Sequence, residues 1–310
     1  MKIVYHASAG PDLASRLASI AGLDIDVCAE EDDARLANLL PDCEVLWHVL
    51  KRCTAEMIQA APKLRLIQKI GVGVNTIDLD AARARGIPVC NLPGTNARAV
   101  AEMTLALMFS VLRRVPRFDA SLRGGIWTDI ALQDGLGELG GRVVGLVGYG
   151  SIPRLLAPVL TALGCEVLYT ARHEATDAAA RFVTLDSLLS AADIVSLHVP
   201  LTPETDRMID AAALSRMKRG AVLINTARGG LVDHAALEEA LRRGHLSGAG
   251  LDVFAEEPVP RTDALLRMDN VVVTPHVAWI TTGTFDRSFA LAAENCRRVA
   301  DGTTLLHRVV

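Results

Sequence analysis

Two doubly wound, parallel-sheet α/β domains are the fold that this sequence predicts. Three observations carry that expectation. Short β-branched runs alternate with Ala/Leu-rich helical stretches from end to end, the pattern of βαβ units. The runs fall into two series separated by one long helical segment. A chain of 310 residues, half of them hydrophobic, is long enough for two cores and needs no disulfide or metal to staple either.

The first series of strands is expected at Lys2 to Tyr5, Ile25 to Cys28, Val45 to Val49, Arg65 to Lys69 and Val89 to Asn91. The segment Asn96 to Arg114 follows, a helical pattern with Asn96 as N-cap and Val115-Pro116 as a stop. Its apolar residues occupy most faces, so burial between domains or subunits is expected. Arg123 to Trp127 and Asp134 to Gly137 read as an exposed connection. The second series is expected at Val143 to Val147, Glu166 to Tyr169, Ile194 to His198, Ala221 to Ile224, Gly248 to Val253 and Val271 to Thr274, before a final helix from about Thr284 to Ala300.

Composition narrows the function classes. A net charge of −4, without a long Lys/Arg run, argues against nucleic-acid or anionic-membrane partners, which need a concentrated positive field. With 3 Trp, 3 Tyr and 6 Phe, a base-stacking surface is not expected either. The six cysteines form no Cys-x-x-Cys pair and no zinc spacing, so no metal is expected and they read as reduced thiols. Met1 to Ala7 lacks the regions of a signal peptide, and Met103 to Leu112 is too short to span a membrane, so a cytoplasmic protein is expected.

Chemistry enters at Gly148-Tyr149-Gly150-Ser151-Ile152-Pro153, between a strand and a helix. In that setting Gly148 permits the tight turn, and Gly150 lets the backbone approach a pyrophosphate at the helix N-terminus beside Ser151 and Ile152. Pro153 replaces the third glycine of the pattern. Where an NAD enzyme carries an acidic residue after the second strand, this chain has Thr170-Ala171-Arg172-His173. A cation there suits a 2′-phosphate, so NADP(H) is expected in preference to NAD(H), with Arg172 as main determinant and Thr170 or His173 as helpers.

Three more segments end strands of the second series: Asn225 to Gly230, Gly250 to Pro258 and Thr274 to Trp279. Together with Gly71 to Asn75, Asn96 to Glu102, Gly125-Ile126-Trp127 and His198 to Thr202, they make the sequence similar, over nearly its whole length, to the D-isomer-specific 2-hydroxyacid dehydrogenases. The resemblance implies a Rossmann cofactor domain, residues 98–279, inserted into a discontinuous flavodoxin-like substrate domain, residues 1–97 and 280–310. It implies an enzyme that interconverts a 2-oxoacid and a D-2-hydroxyacid, and a homodimer formed through the Asn96 to Arg114 region.

It also implies roles that chemistry can rationalise. Arg228 would hold the substrate carboxylate and polarise the carbonyl. His276 would act as general acid, or as base in the oxidative direction, with Glu257 as its paired carboxylate. Backbone N–H groups of Val72 and Gly73 would grip the carboxylate. Thr226, Asp252 and the loop containing His198, Val199, Pro200 and Thr205 would line the nicotinamide and ribose, with His276 beside them. Trp47 to Leu50, Gly71 to Asn75 and Trp279 would contact the substrate side chain, and His48 would touch substrate or solvent; His6 and His307 read as structural. Trp279, three residues after His276, is similar to that of glyoxylate and hydroxypyruvate reductases and D-lactate dehydrogenases, so small substrates are expected. Alternatives are a phosphoglycerate dehydrogenase-like enzyme, for which Lys51 and Arg52 are the available cations, and a non-catalytic NAD(P)(H)-sensing scaffold.

Overall fold

A computed structural model describes all residues, 1–310. In chain order the first elements are β1 (Lys2–His6), α1 (Pro11–Ala18), β2 (Asp24–Cys28), α2 (Asp33–Leu39), β3 (Val45–His48), α3 (Ala55–Gln59), β4 (Leu66–Lys69), α4 (Leu79–Ala84) and β5 (Val89–Cys90). Then come α5 (Ala97–Arg113), α6 (Val115–Arg123), α7 (Ile130–Gln133), β6 (Val143–Val147), α8 (Ser151–Ala162), β7 (Glu166–Thr170), β8 (Arg181–Phe182), α9 (Leu185–Ala191) and β9 (Ile194–Leu197). The chain closes with α10 (Ala211–Arg216), β10 (Ala221–Asn225), α11 (His234–Arg242), β11 (Leu246–Leu251), β12 (Val271–Val273) and α12 (Thr282–Asp301).

The chain divides into two compact units, one of Met1–Asn96 with Thr281–Val310, the other Ala97–Ile280. The smaller holds a sheet ordered β2-β1-β3-β4-β5, with every ladder parallel. Its core includes Val4, Leu46, Ile58 and Ile67. Helix α12 belongs to this unit: the Thr281 hydroxyl caps its N-terminus, and Gly302 ends it with a left-handed φ of 66°. Buried Asn295 fixes the helix by donating to Gln68 Oε1 at 2.7 Å. Trp47 stacks on Phe289 of α12, with ring centroids 5.6 Å apart.

The larger unit has seven parallel strands ordered β12-β11-β10-β9-β6-β7-β8. Runs such as Val143–Val147 are apolar at successive positions because helices cover both faces of the sheet. Strand order reverses between β6 and β9, where open α/β sheets bind ligands.

One expectation about the connecting helices needs correction. The helix beginning at Ala97 ends at Arg114, whose φ of 51° breaks it, and Val115-Pro116 opens α6 rather than stopping α5. Proline fits there because an N–H in the first turn has no helical acceptor. Helix α5 is also part of the larger unit's own core: Leu107 and Val111 lie against Gly250 and Gly248, where a Cβ would come within 3.0 and 2.7 Å of their side chains. Strand β8 and helices α6 and α7 are too short or too polar for periodicity to reveal.

Candidate active site

Register places the motifs on one edge. Val147, Thr170, Leu197, Asn225, Leu251 and Val273 occupy a single row across six of the seven strands. Gly148, Ala171, His198, Thr226, Asp252 and Thr274 are the residues that follow in sequence, so all the strand-end segments emerge together at the carboxyl edge.

Gly148 has a φ of +97°, and a Cβ on it would lie 2.6 Å from the His198 carbonyl oxygen. The fold itself therefore demands glycine at this position. Gly150 differs: no atom lies within 4 Å of where its Cβ would be. It is the N-cap of α8, with no side-chain cap, and the N–H groups of Ser151 and Ile152 have no acceptor within the chain. Open space above unpaired helix N–H groups fits a dinucleotide pyrophosphate. Pro153 is buried in the first turn of α8. Thr170 ends β7, and Arg172 and His173 beyond it are exposed.

The His276 ring lies beside Glu257, with Nδ1 2.7 Å from Oε2. The other carboxylate oxygen of Glu257 accepts from the Phe254 N–H at 2.9 Å. Burial alone would raise the pKa of Glu257. The His276 hydrogen bond and charge, the Phe254 N–H and the Arg228 charge outweigh burial and hold it below the usual carboxylate range. Its free-energy consequence is damped by solvent, since a third of the side chain is exposed. His276 has a left-handed φ of 54°, and its N–H donates to the Asp252 carbonyl at 2.8 Å.

Asp252, expected to line the cofactor, fastens the His276 loop. Its carboxylate accepts from Thr274 Oγ1 at 2.5 Å and from the Val277 and Ala278 N–H groups, each at 2.9 Å. Burial is the largest influence on it and raises its pKa.

Arg228 comes from a turn held by buried Asn225, which donates to the Arg228 carbonyl at 2.9 Å and accepts from the Ala227 N–H at 3.0 Å. Burial lowers the pKa of its guanidinium, and nearby Glu257 opposes that shift. Gly229 explains the proximity of these two loops: a Cβ there would stand 1.9 Å from the Phe254 carbonyl carbon.

Other expected site residues stand as follows. Thr226 is buried, its hydroxyl 3.0 Å from that of Thr104. His198 turns its ring inward, with Nε2 2.9 Å from Ser196 Oγ, so only its backbone borders the glycine turn. Val199 is half-buried and Pro200 exposed, and the Thr205 hydroxyl closes their loop by donating to the Pro200 carbonyl at 2.7 Å. Trp279 is buried, with 9% of its surface accessible, and Trp47 wholly so, which removes Trp47 from substrate contact. His48 is likewise buried, with Nε2 2.6 Å from the Lys51 carbonyl, contrary to the expectation that it meets substrate or solvent.

In the smaller unit, Val72 is exposed in a loop that begins at Gly71, whose φ is +150°. Asn91 Nδ2 donates to the Val72 carbonyl at 2.8 Å, and the N–H groups of Val72 and Gly73 have no acceptor within the chain.

Asn225, Thr274 and Gly229 lie in the strand-end segments that the sequence marks, but their individual roles were not foreseen. A buried asparagine ending an apolar strand was the available signal for the first. The other two depend on contacts between loops distant in sequence.

Residues 105–278 match the family described as D-isomer specific 2-hydroxyacid dehydrogenase, NAD binding domain. The chain belongs to that family. It is 40% identical over 279 residues to D-3-phosphoglycerate dehydrogenase of Mycobacterium leprae (strain TN), covering 87% of this chain and 52% of the relative. The chain thus spans about half the length of the mycobacterial relatives it matches. Glyoxylate reductase of Korarchaeum cryptofilum (strain OPF8) is 42% identical over 262 residues, covering 82% of this chain and 79% of the relative. Among solved structures, the TT0316 protein of Thermus thermophilus superposes with a TM-score of 0.90 at 40% identity, with both chains fully covered. No helix is long and apolar enough to cross a membrane.

Proposed function

We propose that the protein is an NADP(H)-preferring oxidoreductase that reduces a small 2-oxoacid to a D-2-hydroxyacid, of the glyoxylate or hydroxypyruvate type. The observation that carries this reading is the His276–Glu257 hydrogen bond at 2.7 Å, within the larger unit that also holds Arg228 and the glycine turn. Gly148, Gly150, Ser151 and Ile152 would hold the pyrophosphate, Thr170 and Arg172 the adenosine end. When bound, NADPH supplies the hydride.

This chain's residues do the rest. Arg228 pairs with the substrate carboxylate and draws electron density toward the carbonyl oxygen, a task suited to a planar guanidinium. Glu257 accepts from His276 Nδ1, which leaves Nε2 to deliver the proton to that oxygen. Asp252 and Thr274 keep the His276 loop in place. Val72 and Gly73 supply further N–H donors for the carboxylate. Exposed Leu122, Ile126, Trp127 and Ile130 give a homodimer an apolar face.

The 40% identity to a phosphoglycerate dehydrogenase favours a second substrate, a phosphorylated hydroxypyruvate. Steady-state assay of glyoxylate, hydroxypyruvate, pyruvate, phenylpyruvate and 3-phosphohydroxypyruvate, each with NADPH and NADH, tests the assignment. Fastest turnover of an unphosphorylated 2-oxoacid with NADPH is expected. A higher kcat/KM with NADH refutes the cofactor preference, and a higher one with the phosphorylated acid refutes the substrate.

A further inference from the structure

We infer that Arg154 is a second cation for the 2′-phosphate of NADPH, and that Asp177 restrains it, so that this ion pair sets the strength of the cofactor preference. The inference rests on the NADP(H) reading above and adds to Arg172 two residues that the glycine pattern does not include.

Five contacts build the site. Arg154 lies in the first turns of α8, and its Nη1 is 2.6 Å from Asp177 Oδ2. Its guanidinium carbon lies 5.2 Å from the ring centre of Tyr149, the residue between the two glycines of the turn. Tyr149 in turn packs on Tyr169 of β7, with ring centroids 4.1 Å apart. The two phenol oxygens accept from the loop after β7: Tyr169 Oη from the Ala175 N–H at 2.8 Å, Tyr149 Oη from the Ala179 N–H at 2.9 Å.

Those contacts fold residues 171–180 over the paired rings. Arg172 enters the loop, and Asp177, further along it, meets Arg154. The Tyr149 ring runs from the glycine turn to the end of β7, so a guanidinium lying on it stands at the adenosine end of a bound dinucleotide, where the 2′-phosphate would be. Arg172 has no hydrogen bond or ion pair within the chain, whereas Arg154 is committed to a carboxylate.

That commitment is weak. The side chains are 40% and 71% exposed, so water and salt screen the pair. A phosphate offers three acceptor oxygens and close to two negative charges at neutral pH, a better partner for a guanidinium than one solvated carboxylate. NADPH would draw Arg154 away from Asp177, whereas NADH, with a 2′-hydroxyl, would leave the pair intact. Asp177 opposes the exchange twice, by competing for Arg154 and by repelling the incoming phosphate.

Fluorescence titration of the full chain with NADPH and with NADH tests the inference on wild type, Arg154→Gln, Asp177→Asn and Arg172→Gln. Arg154→Gln is expected to weaken NADPH about fivefold and NADH less than about twofold. Asp177→Asn is expected to tighten NADPH about threefold without tightening NADH. The two variants thus move the NADPH/NADH affinity ratio in opposite directions. A purely structural pair would weaken both cofactors together, and an unchanged ratio in either variant overturns the inference. Equal affinity of wild type for the two cofactors, unaltered by Arg172→Gln, overturns the NADP(H) reading itself.

Discussion

Single residues in the site separate folding from ligand binding. Gly148→Ala meets both a positive φ and the His198 carbonyl 2.6 Å away, and is expected to cost about 1–3 kcal/mol of stability. Gly150→Ala enters open space, so thermal unfolding should shift by no more than a few degrees while NADPH affinity drops by about tenfold or more. Calorimetry and fluorescence titration on both variants check the contrast; equal destabilisation would remove the argument for a phosphate at Gly150. Glu257→Gln keeps the shape of the side chain and removes the charge facing His276. Turnover should fall by about 10²-fold with a nearly unchanged melting temperature, measured by steady-state kinetics beside calorimetry. At this scale the sequence was informative where a motif names a chemical group, as with Arg228, Glu257 and His276. It was silent on direction: nothing in Ile194 to His198 tells that the His198 ring turns in to Ser196, or that the carboxylate of Asp252 is consumed by Thr274, Val277 and Ala278.

Elements rather than residues decide that the strand-end loops converge. Eleven of the twelve strands fall on β-branched or apolar stretches that the sequence marks, and two-residue β8, Arg181–Phe182, does not. Loop contact is less legible because it needs atoms far apart in sequence to meet. Gly229 illustrates this: the turn after β10 lies so close to the segment after β11 that a Cβ would fall 1.9 Å from the Phe254 carbonyl carbon. Gly229→Ala must therefore push the Arg228 and Glu257 loops apart. Destabilisation of about 3 kcal/mol or more is expected in denaturant titration, with kcat/KM reduced in whatever fraction remains folded. Helix α5 behaves similarly. Its apolar coverage on most faces predicts burial, and Gly248 and Gly250 of β11 make room for it on its own sheet.

The whole molecule carries buried histidines whose titration links folding to pH. Burial lowers the pKa of His198 to about 3, and it also lowers those of His6 and His48. Each is neutral when folded and, once unfolded, takes up a proton below its ordinary value of about 6.5. For His198 the unfolded state thus binds more protons between about pH 3 and 6.5, so stability rises with pH across that window and levels off above it, and His6 and His48 act in the same direction. Urea unfolding at pH 7.5 and 5.0 should show lower stability at the acidic pH, approaching about 1.4 kcal/mol per pH unit from His198, with His6 and His48 acting in the same direction. Identical midpoints would contradict the burial of these rings. Above all, the cluster of Arg228, Glu257 and His276 should make the molecule a 2-oxoacid reductase. NADPH oxidation by wild type and by His276→Asn, followed across the 2-oxoacid panel, probes that role without an intermediary. Turnover by wild type is expected, with a loss of about 10³-fold or more in a variant that remains folded. Turnover on none of the acids, or a His276→Asn variant as active as wild type, would show that the cluster does not carry this reaction.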